Sequence, residues 1–213
     1  ELAGSSPPPI NVSVDGPPEP TVQGQLVSGN YFALLGVSPI IGRSIGPDDD
    51  RVPNGHAVAM LSHGYWERRF ARDASIVGRT IRFSGTPFTI VAVTPREFFG
   101  VDVGTAPDVF MPLMMQPTVM PAYENLLEHP IVQRTWVQVI ARTNAGITLE
   151  QAAAPMDAVL RAQVGNAPRP PAAKAGPPRN RVVLAPASAV SALRRQFSRP
   201  LFVLLAMVGV VLL

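Results

Sequence analysis

The chain has 213 residues, enough for one ordinary domain or for two small ones that share a core. Only 15% of them are charged, against roughly 25% in average globular domains, and there are 24 prolines and no cysteine. Disulfides and thiolate metal sites are thereby excluded, while the redox compartment stays open. The net charge of +3 hides an asymmetry: residues 1–157 hold all 15 acids and 10 arginines, whereas residues 158–213 hold seven arginines, Lys174 and no acid. Those basic residues are spread through Pro-rich sequence, lack interleaved aromatics and lead into an apolar run. A membrane surface is therefore the expected neighbour, and nucleic acid is not.

Residues 1–20, with six prolines and two glycines, read as an extended lead-in rather than a packed element. Residues 22–28 (VQGQLVS) have strand character, and Asn30 is placed to cap a short helix, YFALLG, that ends at Gly36. Pro39, Gly42 and the acidic run Asp48-Asp49-Asp50 predict a long turn region. Asn54-Gly55 is a turn signal before an apolar strand over residues 57–61 (AVAML). Ser62 can then cap a helix on which Trp66 and Phe70 lie one turn apart, with Glu67, Arg68 and Arg69 on other faces.

Residues 80–83 (TIRF) alternate, with Ile81 and Phe83 on one face. Ser84-Gly85-Thr86-Pro87 turns the chain, and residues 88–93 (FTIVAV) return as the second strand of a hairpin. Residues 108–112 (DVFMP) read as a short strand, the segment around Thr118 as a loop, and residues 136–142 (WVQVIAR) as a strand of mixed faces. Thr148 and Gln151 have capping-box spacing. Leu149, Ala153, Met156, Leu160 and Val164 follow at helical intervals, with Pro155 expected to kink that helix or shift its start. Residues 165–180 carry five prolines and read as a linker, before a last strand over 181–186 (RVVLAP).

Residues 201–213 (LFVLLAMVGVVLL) contain no polar side chain. As a helix they reach roughly 20 Å, against the ~30 Å of a bilayer core. Ser198 is placed as an N-cap and Pro200 near the first turn, so the run is expected to open a transmembrane helix, with a buried helix as the other reading. The chain starts without Met and stops inside this run, and is expected to be a piece of a longer protein. With no internal repeat, and short strands mixed with segregated helices, the fold class expected is α+β.

Candidate chemistry is sparse. Ser62-His63 suggests a hydrolase pair, but neighbours on a helix point about 100° apart and no G-x-S-x-G elbow surrounds the serine, so capping explains it. Asp48, Asp49 and Asp50 with Asn54 and His56 offer oxygens and a nitrogen for a cation. A calcium loop, however, alternates its ligands and closes on an acid at the twelfth position, and this turn does neither. His56, His63 and His129 have no zinc-ligand spacing, and Glu124, Glu128 and Glu150 pair as catalytic carboxylates only if the fold brings them together. Phosphate-binding glycine loops are missing. Tyr65, Trp66, Phe70, Phe83 and Phe88 are spaced like a core rather than a ligand cage. No catalytic, cofactor-binding or metal-binding residue is therefore assigned.

The order VSGNYFALLGVSPIIGRSI, AVAMLSHGYWERRFARDASIVGRTIRFSGTPFTIVAVTP, DVFMPL resembles the periplasmic core domain of MacB-like permeases, in the FtsX-type superfamily of ABC transporter membrane subunits. The match is closest to the duplicated orphan permeases, many of which are not encoded beside an ATPase. It spans residues 22–113 strongly and WVQVIAR through GITLEQA more loosely, and RRQFSRPLFVLLAMVGVVLL resembles the approach to the family's second transmembrane helix.

The resemblance implies a porter-like α/β sandwich lobe, incomplete at its start, plus a second mixed β-rich lobe over about residues 40–120. Together they make an extracytoplasmic core over 1–193, followed by a juxtamembrane segment and the start of a transmembrane helix over 194–213. It further implies a non-catalytic domain on the periplasmic side of the inner membrane that relays ATP-driven conformational change and contacts partners or exported substrate, without a cofactor. The implied partners are a cytoplasmic ATP-binding subunit and the membrane, with room for a periplasmic adaptor and a homodimer. Pro155 falls in a helix the family leaves unbroken. Arg194, Arg195 and Arg199 would sit outside, against the positive-inside tendency, which is counted over all short loops and can be outvoted by other helices. On the residues alone, a membrane-anchored hydrolase using Ser62 or the acidic turn, and a passive binding or scaffold module, stay open.

Overall fold

A computed structural model describes residues 1–6, 12–13, 22–83, 85–101, 105–121, 123, 125–128, 136–165 and 184. Among the described residues nine strands belong to one sheet: β1 (Leu2–Ser6), β2 (Val12–Ser13), β3 (Gly24–Val27), β4 (Ile41–Gly42), β5 (Val58–Leu61), β6 (Thr80–Phe83), β7 (Thr86–Val93), β8 (Val109–Pro112) and β9 (Gln138–Ala141). Their order is β2-β6-β7-β5-β8-β3-β1-β9, with β4 joined to β7. β3 runs parallel to β8 and β5 parallel to β7, while the other pairs are antiparallel. Among the described residues four α-helices accompany them: α1 (Tyr31–Leu35), α2 (His63–Phe70), α3 (Gln116–Val119) and α4 (Leu149–Gly165). The mixed sheet with few helices is the expected α+β class.

Successive residues of the central strands feed two cores. Leu26, Leu61, Val109 and Met111 pack on one face with Tyr65 and Trp66 of α2. Val27, Met60, Ala92 and Phe110 pack on the other with Tyr31, Phe32 and Leu34 of α1. Every residue of β3 and β8 is buried, as a sheet covered on both faces requires. β6 alternates exposed and buried, because only one of its faces is covered. The hairpin sets Phe83 opposite Thr86, so Thr86 and Pro87 lie in the strand rather than in the expected turn.

Between Ala59–Ile90 and Met60–Ala92 the register slips by one, leaving Val91 as an extra residue of β7. The bulge turns the Val91 carbonyl toward β4, where it accepts from Arg43 N at 3.0 Å. Gly42, at φ 81°, passes so close that a Cβ would lie 2.0 Å from that oxygen.

Two further expectations need correction, and a third feature, the proline in α4, is now placed. Residues 2–6 are not a lead-in: β1 lies inside the sheet, between β3 and β9. Its sequence, LAGSS, has little strand propensity, and its pairing comes from long-range partners. Thr118 lies in α3 rather than in a loop, and its hydroxyl donates to Asn54 Oδ1 at 2.6 Å. α4 runs through Pro155 from its expected start. Thr148 and Gln151 form the reciprocal capping box, and both Pro155 and Gln151 are exposed, so water can satisfy the carbonyl that proline leaves unpaired. The apolar run 201–213 and, Leu184 apart, the strand over 181–186 lie outside the described residues. Among the described residues no helix is long and apolar enough to cross a membrane.

Gly42→Ala is expected to cost well over ~1 kcal/mol, because strain adds to a backbone clash. Gly85→Ala, at φ 82° with open space around it, should cost only about 1 kcal/mol. Chemical denaturation of the two variants side by side checks the difference.

Candidate functional site

α2 follows β5 without a loop, and Ser62 makes the junction. Its backbone is extended, at φ −69° and ψ 152°, and its Oγ accepts from Tyr65 N at 3.2 Å. The next ring, His63, stands edge-on to Trp66 at 5.6 Å between centroids, with Nδ1 4.0 Å from Glu67 Oε2. The two residues that are adjacent in sequence thus serve different partners, and the serine–imidazole bond of a nucleophilic pair is not formed.

The three consecutive acids point in three directions. Asp48 is exposed and pairs with Arg51 at 3.0 Å. Asp49 is buried and takes a bidentate pair from Arg43, at 2.6 and 2.9 Å, together with Gly46 N at 2.9 Å. The Arg43 guanidinium holds the Asp49 carboxyl below the usual carboxylate range, against the opposing effect of burial, and the same pairing raises Arg43. Asp50 accepts from Gly29 N at 3.1 Å and from Met114 N at 2.8 Å. Burial pushes its pKa up, with the amides of Met114, Gly29 and Leu113 pulling the other way. Asp50 therefore joins the turn before α1 to the segment after β8. Asn54 is turned toward Thr118 and His56 is exposed, so this set does not converge on a cation.

The remaining candidates are dispersed. Glu128 is exposed and accepts from Asn125 Nδ2, Glu150 lies exposed in the first turn of α4, and Glu124 and His129 lie outside the described residues. Among the described residues no group of three or more His, Cys, Asp or Glu is placed to hold a metal ion. Tyr65, Trp66, Phe83 and Phe88 are buried in one core, with Phe70 packed against it. The Trp66 Nε1–H is spent on the Asp73 carbonyl at 2.9 Å.

Two features escaped the sequence. Asp108 is buried, with Oδ2 accepting from Gln23 N at 3.0 Å and Oδ1 from Arg68 Nη2 at 2.7 Å. It pins α2 to the start of β3, and an acid just before an apolar strand is the only signal for it. The second aromatic cluster joins Tyr31, Phe32, Phe98 and Phe110, with ring centroids 5.3 to 5.8 Å apart. Its members come from three distant segments that no local spacing connects.

A family model described as the MacB-like periplasmic core domain matches residues 4–159. Among solved structures the chain is similar to the periplasmic region of MacB from Actinobacillus actinomycetemcomitans, with a TM-score of 0.57 at 14% identity over 78% of this chain and 67% of that one. It is similar too to the extracellular domain of the noncanonic ABC-type transporter YknZ from Gram-positive bacteria, with a TM-score of 0.56 at 14% identity over 78% and 76%. At such identity the likeness is one of fold. No curated protein matches the chain.

Ser62→Ala should lower stability by about 1 kcal/mol, the usual worth of an N-cap, and Ser62→Thr should restore most of it in thermal unfolding. Asp49, with its lowered pKa, contributes stability that is complete above the ordinary carboxylate value and is lost as pH falls through its lower folded value. Asp49→Asn is therefore expected to be the less stable protein at neutral pH. Its deficit should shrink as the pH of the unfolding experiment drops below about 4.

Proposed function

The chain belongs to the family of MacB-like periplasmic core domains, the extracytoplasmic parts of ABC-type permeases, and on that premise we propose that it is a mechanical domain. It relays conformational change driven by a cytoplasmic ATP-binding subunit and contacts partners or exported substrate on the outer side of the inner membrane. The observation that carries this reading is the position of β1. Arg142 N donates to Glu1 O at 3.1 Å where β9 ends and β1 begins, and β1 continues from there between β9 and β3. A displacement at the start of β1 is thus delivered inside the sheet, and one passing out of β9 toward α4 to the neighbouring edge strand, rather than to a surface loop.

The same reading divides the chain into an extracytoplasmic core over 1–193 and a juxtamembrane segment with the start of a transmembrane helix over 194–213. The middle lobe, about 40–120, corresponds to β4 through β8, of which β5, β6 and β7 stand together toward one end of the sheet. In this reading Ser62, which caps a helix, and Asp49 and Asp108, which arginines engage, serve the fold rather than a reaction. A periplasmic adaptor and a second copy of the chain are the further partners in this reading.

Val52 is 54% exposed and suits a single-cysteine reporter in the full-length protein, otherwise made free of cysteine. A maleimide that crosses the outer but not the inner membrane is expected to label Val52→Cys in intact cells. The rate should differ between a co-expressed ATP-binding subunit that hydrolyses ATP and one that binds without hydrolysing. Labelling at a rate indifferent to the subunit would favour a passive scaffold, and labelling only after permeabilisation would overturn the extracytoplasmic placement.

A further inference from the structure

β1 meets β3 over a short ladder, Ser5 opposite Val27 and Ser6 opposite Leu26. Beyond Val27 one more backbone bond, from Ser28 N to the Gly4 carbonyl at 2.8 Å, continues the ladder before the chain enters α1, and the Ser28 carbonyl is turned away to accept from Tyr31 N at 2.9 Å. In the same register Gly4 faces Ser28 and Leu2 faces Asn30, so the amide of Gly4 and the carbonyl of Leu2 would lose their partners there. Two side chains replace them. Ser28 Oγ accepts from Gly4 N at 2.9 Å, and Asn30 Nδ2 donates to Leu2 O at 2.7 Å. A bond from Ser28 Oγ to Asn30 Oδ1 at 2.8 Å joins the two. Asn30 accordingly sits at the N-cap position of α1 without capping it.

We infer that this side-chain seam is a hinge, across which the β1–β9 unit opens from the rest of the sheet. The β3 side is fixed: Gly29 is pressed so closely on residues 46–47 that a Cβ would lie 2.6 Å from Gly46 O, and its amide is held by Asp50. The β1 side is lightly held. Ala3, Gly4 and Ser5 carry small side chains, of which only Ala3 joins the core around Tyr31 and Phe32, and among the described residues the buried Ser5 Oγ has no hydrogen-bond partner. Gly4 has no room for a larger side chain, since a Cβ would lie 2.8 Å from Val137 Cγ1. β1 is bound more extensively to β9, through Leu2–Ala141, Ala3–Ile140, Gly4–Val139 and Ser5–Gln138. The pair therefore moves as one, about the Ser5–Ser6 ladder, and its opening also releases the bond that Arg142 donates to Leu34 O of α1. Local opening of this kind is expected where few apolar contacts back a small set of hydrogen bonds.

The hinge gives the proposed relay its moving part and for that purpose rests on it. It is tested without nucleotide or ATP-binding subunit, so the relay can fail while the hinge stands. In hydrogen–deuterium exchange on the full-length protein, Ser28→Ala should speed exchange of the β1 and β9 amides about tenfold or more, leaving β5, β7 and β8 unchanged. Ser28→Thr, which keeps the hydroxyl, should restore protection. Unchanged β1 and β9, or equal acceleration in every strand, would overturn the inference. Should Ser28→Ala not fold, Asn30→Ala is read by the same criteria, and failure of both to fold would make the seam a requirement of folding and end the hinge.

Discussion

Coverage of the central sheet on both faces governs what the polar residues of this chain can do. Strands β3, β5 and β8 have no wet side, so the groups where they end must find partners within the protein, since each left unpaired would cost about 1–3 kcal/mol. Asp108 takes the Gln23 amide at the start of β3 and the Arg68 guanidinium of α2. At the opposite end Asp50 takes the amides of Gly29 and Met114 where β3 and β8 finish. Ser62 closes β5 and opens α2 through the Tyr65 amide. The residues that most suggest a reaction centre are those that a doubly covered sheet needs for its own ends.

This explains which parts of the fold were legible in the sequence. Period-two alternation exposed the β6–β7 hairpin, and the caps at Ser62 and at Thr148–Gln151 were visible because a cap is a rule about neighbours in sequence. β1 was hidden because LAGSS carries no strand signature and owes its place to β3 and β9, distant in sequence. Asn30 was located correctly but misread, since its side chain serves Leu2 rather than its own helix. Local rules rank a cap by its distance from the helix, and they cannot see a competitor that arrives from another part of the chain.

The cap at Ser62 and the aromatic core spacing were legible as packing features, whereas the family was legible from the order of motifs. Both follow if the information in this sequence concerns packing. Gly42 against the Val91 carbonyl, Gly29 against Gly46 and Gly4 against Val137 each fix a close approach between segments. None of the three leaves a trace that a search for catalytic spacing would find.

Short polar side chains play two mechanical parts in one sheet. Where Asp49 meets Arg43, two charge-assisted bonds from a rigid fork hold the β4 turn, and charge makes such a link strong. Where β1 meets the turn before α1, one backbone bond, from Ser28 N to Gly4 O, is supplemented by neutral links through a hydroxyl and an amide. A sheet whose strands were all joined by backbone ladders would offer no preferred place to yield. Giving the Gly4 amide and the Leu2 carbonyl to the side chains of Ser28 and Asn30, with a single backbone bond left between them, creates such a place beside the strand through which the proposed motion enters. The sheet can then stay intact from β3 to β6 while its β1–β9 end is displaced.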